Sequence, residues 1–453
     1  MRVVVIGGGF SGLASAARLA KLGHQVTLLE ASERLGGALG RLEVQGWSFD
    51  TGPTHTLLPA VVRDLFRKSG RPLERETELV PLEVIREHRF TDGSSLQLTG
   101  GSRAAQKAAF NDLAPGLGDA WLSHVDPYST VWERLRRDFF ERPWNPDLAH
   151  PEAEKLLTDR ARLVDRLAAD LPDPRARLVA AHPHLRDGHD LRKVPAWAGM
   201  VSYLEQRFGA WTVPGGIGAL GDLMAARVRT RKVEVHTGTP VTDVVIRRGR
   251  AVAVRTAAGE VEADAVVCAV DPTGLPSLRR SGAGPRRILA RRPTPAPVPD
   301  LLHLGLVGRG VLDEQLGPDR PGELVLHGQD GSPDLVLRPG GSAPVGAEDA
   351  RAVTVHSRGV PAGEVLDLLA ARGVDLRPQV ELQVARSGAD LTRTWGGSPL
   401  GVQWDGSRTV RTRLGPRTSV EGLYAAGAHA NPGAGLPFTG LSAWLVAQSI
   451  GPA

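Results

Sequence analysis

Residues 2–32, RVVVIGGGFSGLASAARLAKLGHQVTLLEAS, decide the fold. An apolar strand runs into Gly7-x-Gly9-x-x-Gly12, an alanine-rich helix follows, and a second strand closes on Glu30. Each part has a physical task. Gly7 permits the tight turn, Gly9 lets backbone amides approach a pyrophosphate at the helix N-terminus, and Gly12 lets helix and strand pack closely. Glu30 is placed to accept hydrogen bonds from ribose hydroxyls. The glycine spacing alone is weak, but in the order strand, glycines, helix, strand and acid it predicts a bound dinucleotide. A second match, Gly216-x-Gly218-x-x-Gly221, lacks both the preceding apolar strand and the terminal acid. It reads as a helix start after a Pro-Gly turn.

The rest of the chain narrows the class. At 453 residues and 41% hydrophobic content, it has room for two or three packed units of an ordinary globular protein. No apolar run approaches the roughly 18 to 20 residues a membrane span needs, and an apolar strand at residue 2 leaves no room for a signal peptide, so a cytoplasmic location is expected. Cys268, the single cysteine, excludes an internal disulfide. The net charge of +5 is mostly arginine, and no basic run is interleaved with aromatics, which argues against nucleic acid.

Further stretches carry a family resemblance: ASERLGGALG after Glu30, DTGPTHT from Asp50, YLEQRFGAWTVPGGIGALGDLM, VEVHTGTPVTDVVI, ADAVVCAVDP and EGLYAAGAHANPGAGLP. Together they resemble the flavin-dependent amine oxidase and phytoene desaturase superfamily, and the closing block looks most like the carotenoid-desaturase branch. The resemblance implies an α/β fold with a Rossmann-like FAD-binding domain of the glutathione-reductase type. It also implies FAD, with Gly7, Gly9, Phe10, Ser11 and Gly12 at the pyrophosphate and Glu30 and Ala31 at the adenosine ribose. Arg34, Gly36, Gly37 and Ala38 would lie near phosphates, with Gly52, Pro53 and Thr54 beside the isoalloxazine. Val241 would clasp the adenine through its backbone, and Ala269 would lie under the adenine half. Gly427 and Ala428 fall near the ribityl chain and phosphate, and Gly435, Leu436 and Pro437 at the pyrimidine edge. Ala38 stands where many relatives carry a second arginine, Ala428 where more distant flavoproteins place an aspartate, and Asn431 where the branch often has histidine.

The flavin motifs occupy 1–98, 209–275 and 405–453, so the FAD-binding domain is expected to assemble from discontinuous pieces. Insertions 99–208 and 276–404 then form an α+β substrate domain. The first insertion shows helical spacing at YSTVWERLRRDFFERPW and PEAEKLLTDRARLVDRLAADL. The second alternates as strands at LLHLGLVG, ELVLHG, DLVLRPG, RAVTVHS and VELQVARS, with one helix at AGEVLDLLAARG, which predicts a mixed or antiparallel sheet. PTPAPVP at 293–299 reads as a stiff connector.

A flavin desaturase needs a substrate C–H held at N5, a route for a neighbouring proton and exclusion of water. His55 is the first proton-handling candidate and His429 the second, each set against plain loop hydrogen bonding. His182 and His184 lack a third ligand at metal-binding spacing. Trp132, Phe139, Phe140, Trp144, Trp197, Tyr203, Phe208 and Trp211 either fill the helical core or line a tunnel for a long apolar substrate. RRILARRP at 286–293 either rests on anionic lipid, as a peripheral membrane contact, or is a solvated face. The only thiol lies in a strand that reads as core, so FAD is expected to be noncovalent. The leading expectation is an FAD-dependent desaturase acting on an apolar, isoprenoid or polyene-like molecule. An amine oxidase, a redox-neutral isomerase using reduced FAD and a non-catalytic flavin-binding protein are its rivals. The stretch 276–404 has no lysine, whereas the amine-oxidase branch generally uses one there to hold a water at N5.

Overall fold

A computed structural model describes residues 1–280, 293–308, 321–329, 334–347 and 349–453. Residues 286–292 of the basic stretch RRILARRP lie outside these, so the lipid expectation has no structural counterpart here. The strand Arg2–Ile6 is the centre of a five-stranded parallel sheet, flanked by Gln25–Leu29 and Glu234–His236 on one side and Ala265–Cys268 and Leu423–Ala425 on the other. Three separated parts of the chain therefore share one sheet. Val3 and Val5 face one apolar cluster and Val4 and Ile6 the other, the two-sided burial that a central parallel strand requires. The helices Phe10–Lys21 and Leu436–Ile450 pack on the same side, in the cluster that holds Leu13, Ala17, Ala443 and Val446.

The second unit is built on a seven-stranded sheet in the order 380–386, 300–307, 350–357, 335–339, 323–326, 84–89 and 95–99. All pairings are antiparallel except that between Val84–Arg89 and Glu323–Leu326. The strands expected in the second insertion form this sheet. The expected boundary at residue 98 is corrected, because Val84–Arg89 and Ser95–Thr99 are strands of the second unit rather than the tail of the first. VIREHR carries four polar residues yet is buried over five of its six positions.

Helices between residues 103 and 208 cover the rest. The stretch from 151 forms two helices, Pro151–Thr158 and Leu163–Asp170, instead of one. Asp159 accepts the Ala161 amide at 3.0 Å, and Leu163 donates to the Val194 carbonyl at 2.8 Å, so local capping and a nearby segment take the hydrogen bonds a continuous helix would use. Trp132 and Phe139 fill the helical core. PTPAPVP is anchored rather than a free spacer: Ala296 donates to Gly401 at 2.9 Å, and Gln403 donates to Thr294 at 2.8 Å. No helix among the described residues is long and apolar enough to cross a membrane.

Candidate functional site

Two of the first three glycines are required by packing and one by something else. A Cβ on Gly12 would lie 1.9 Å from the Gly7 carbonyl oxygen, and Gly7 holds φ +96° with Val270 2.5 Å from where its own Cβ would stand. Gly9 has an ordinary φ of −68°, and a Cβ there would meet nothing within 4 Å. Leu13 makes the first hydrogen bond of the helix, to the Gly9 carbonyl at 2.9 Å, so the amides of Phe10, Ser11 and Gly12 stand ahead of it at the positive helix end. An open space beside such amides fits a pyrophosphate.

The other segments converge on this turn. The Gly36 amide donates to the Gly8 carbonyl at 2.9 Å, and a Cβ on Gly37 would be 3.0 Å from the Gly9 Cα. Glu30 accepts from the amides of Gly8 at 2.5 Å and Ser32 at 2.8 Å, which fixes its carboxylate at the end of the second strand. Ala31 and Arg34 are exposed beside it, with Arg34 3.9 Å from Glu43. Ala269 continues from the strand through its amide to Ile6, and the Ser11 hydroxyl is 2.7 Å from where a Cβ of Gly427 would stand. The Gly427 amide donates to Ser442 of the last helix at 3.1 Å, and Ala428 is half-buried next to it. Val241 is half-buried against the cluster of Leu29 and Val244, two residues beyond the Thr239 amide, which donates to the Glu30 carbonyl at 2.8 Å.

The rejected second glycine motif has a ligand after all, and it is internal. Asp50 accepts from the amides of Ile217 at 2.9 Å and Gly218 at 3.1 Å, at the start of the helix Ala219–Thr230. Cβ atoms on Gly216 and Gly218 would stand 2.4 and 2.6 Å from that carboxylate. Burial pushes the Asp50 carboxyl above its usual range, and the Gly218 amide pulls it back. This clasp fixes the loop of Gly52, Pro53 and Thr54, where a Cβ on Gly52 would come within 2.1 Å of the Ala38 carbonyl oxygen.

Pro53, Gly435, Leu436 and Pro437 line a single cavity. Gly435 holds φ +105°, and the helix Leu436–Ile450 begins there, so its N-terminus faces this space. Phe140 and Trp197 of the expected aromatic set line the cavity, as does Trp404; Trp132 and Phe139 fill the helical core, Trp144, Tyr203 and Phe208 are half-buried against it, and Trp211 packs against the core of the parallel-sheet unit. His55 faces the cavity and its Nδ1 has no partner among the described residues. Burial lowers its pKa to about 4, so it is neutral at pH 7. His429 is not among the lining residues. It sits 4.0 Å from Asp271.

Beside this cavity lies a charged cluster that the sequence reading missed. Arg86 forms a two-pronged pair with Glu205, at 2.5 and 2.9 Å. Glu323, fully buried, accepts from Arg186 at 3.0 Å and faces Arg338 at 3.2 Å and His182 at 3.5 Å. Arg338 donates to the Thr54 hydroxyl at 3.1 Å, so the cluster reaches the loop of Gly52, Pro53 and Thr54. Burial opposes the Glu323 charge, yet Arg186, His182 and Arg338 hold its carboxyl well below the usual range.

Burial also lowers His55, His182, His184, His189 and His303 to about 4 each. In the unfolded chain these histidines take protons near pH 6.5, while in the folded chain they resist until about pH 4. The unfolded state therefore binds more protons across that window, and stability present above pH 6.5 is lost as pH falls towards 4. Thermal unfolding is expected to move to lower temperature throughout that range. A midpoint that stays constant from pH 7 to 5 is incompatible with neutral buried histidines.

An open space beside the amides at Gly9, with the Glu30 carboxylate held at the end of the following strand, is the arrangement a dinucleotide site requires. Residues 10–308 match the flavin containing amine oxidoreductase family, and the chain belongs to it. It is 28% identical to the hydroxyneurosporene desaturase of Cereibacter sphaeroides, over 99% of this chain and 97% of that protein. It is 33% identical to the phytoene dehydrogenase of Streptomyces griseus, over 67% of this chain and 60% of that one. Among solved structures, the cyclohexylamine oxidase of Brevibacterium oxydans superposes with a TM-score of 0.67 at 16% identity, covering 99% of this chain and 98% of its own, a likeness of fold. The chain is an FAD-dependent oxidoreductase of the carotenoid desaturase-like branch.

Proposed function

We propose that the chain desaturates an apolar, isoprenoid or polyene-like molecule, with noncovalently bound FAD. The supporting observation is the cavity lined by Pro53, by Gly435 to Pro437 and by Trp197, Trp404 and Leu57. When bound, FAD supplies a hydride acceptor. Gly7, Gly9 and the amides of Phe10, Ser11 and Gly12 would hold its pyrophosphate, Glu30 its ribose, and Val241 its adenine. The N-terminus of the helix Leu436–Ile450 would face the pyrimidine edge, where its positive end favours the charge of the reduced ring. Cys268 supports noncovalent binding, since it is buried in a strand and its thiol is pushed up to about 12.

The apolar rings exclude water and orient the substrate chain. His55 would take the proton next to the carbon that loses hydride. An imidazole with a pKa of about 4 is a weak base, but that proton is strongly acidic once hydride has left. His55→Gln is expected to keep the flavin spectrum and slow substrate bleaching by roughly 10²-fold; an unchanged bleaching rate rejects the assignment.

The purified protein is expected to be yellow and to bleach anaerobically with a polyene precursor. Bleaching by amines alone makes it an amine oxidase instead. Turnover only with flavin already reduced, without net oxidation, makes it an isomerase.

A further inference from the structure

We infer that the cavity receives the carboxylate end of its substrate, bound by Arg413. This rests on the desaturase reading and specifies its substrate as a polyene or related apolar chain with an acid terminus. Arg413 is 7% exposed and lines the cavity beside Trp404. Its Nη1 donates to the Pro432 carbonyl at 2.8 Å, and its guanidinium carbon lies 4.6 Å from the centre of the Trp404 ring. Its Nε has no partner, and no described carboxylate pairs with it.

The neighbouring charges do not compensate it. Arg86 is answered by Glu205, and Arg186 and Arg338 share Glu323, with Asp187 3.1 Å from Arg186. Each of those three arginines has a carboxylate beside it, whereas Arg413 has none among the described residues. The histidines lining the same cavity are neutral near pH 7 and add nothing. A guanidinium buried without a counter-charge is costly, and a planar carboxylate matches its fork. Phe140, Leu57 and Trp197, on the same cavity, suit the apolar remainder of such a molecule.

The test titrates the FAD-loaded protein with all-trans-retinoic acid and with its methyl ester, following flavin absorbance and tryptophan fluorescence. The acid is expected to bind about tenfold to a hundredfold more tightly, the range of hydrogen bonds to charged groups. Arg413→Met is expected to bring the acid down to the affinity of the ester, and Arg413→Lys to keep part of the preference. Equal affinity for acid and ester in the unaltered protein overturns the inference, and that comparison needs no variant to fold. A preference that survives Arg413→Met while the flavin potential shifts also overturns it, and gives the arginine to the flavin instead. A yellow protein that neutral polyenes bleach, but that ignores the acid, overturns the carboxylate and leaves the desaturase standing. A protein that takes up no FAD overturns both.

Discussion

Gly9→Val protein is expected to emerge colourless, without oxidoreductase activity, and yet to unfold at the same temperature as the unaltered protein stripped of FAD. The backbone at Gly9 has φ −68°, which any residue adopts, and a Cβ there meets no protein atom within 4 Å. The fold has no reason to object. The valine would instead fill the space beside the amides of Phe10, Ser11 and Gly12. Losing two hydrogen bonds to a charged group, at about 1.5 to 3 kcal/mol each, lowers affinity by roughly 10² to 10⁴. Gly12→Val is the contrast, because its Cβ would lie 1.9 Å from the Gly7 oxygen and the FAD-free protein itself must be destabilised. Absorbance at the flavin band and melting of the FAD-free proteins separate the two. A stoichiometric yellow Gly9→Val protein would show that no pyrophosphate lies on this turn.

Replacing Glu323 by leucine is expected to destabilise the fold by about 3 to 5 kcal/mol, the usual cost of breaking a buried pair from one side. Glu323 is fully buried and is the shared counter-charge of Arg186 and Arg338. Removing it leaves both guanidinium groups in the interior, one of them on the Thr54 hydroxyl. Adding Arg338→Met to Glu323→Leu is expected to restore part of the loss, because it removes one of the stranded cations. Urea unfolding of the two single variants and the double variant measures this directly. A Glu323→Leu protein within about 1 kcal/mol of the original would mean that the carboxylate carries no pairing energy.

These two residues also mark what could and could not be read from the sequence. The Gly7, Gly9 and Gly12 turn is legible because its constraints are local, with strand, glycines, helix and acid all within residues 2–30. The alternation of LLHLGLVG and RAVTVHS is legible for a similar reason, since a strand announces its two faces in its own residues. Arg86, Glu205 and Glu323 come from a strand of the first segment, a helix of the first insertion and a strand of the second. Only their meeting explains why polar residues are buried, and VIREHR read alone looks like an exposed tail. Asp50 was visible inside DTGPTHT, and its partner glycines were visible in the discarded motif. The link between them was not, because a carboxylate supplied from within the chain leaves the same glycine spacing as one supplied by a ligand.

The five-stranded sheet draws Leu423–Ala425 to its edge and sets Gly427 against Ser11. During synthesis the ribosome delivers the amide turn first and the Gly435 wall last. The opening strand, helix and strand can form early, but their apolar side, including Leu13 and Ala17, waits for Ala443 and Val446. Until then that surface is bare, and a nascent chain must be kept from aggregating by other means. The cavity wall at Gly435 to Pro437 is likewise complete only in a chain whose helix Leu436–Ile450 has cleared the exit tunnel.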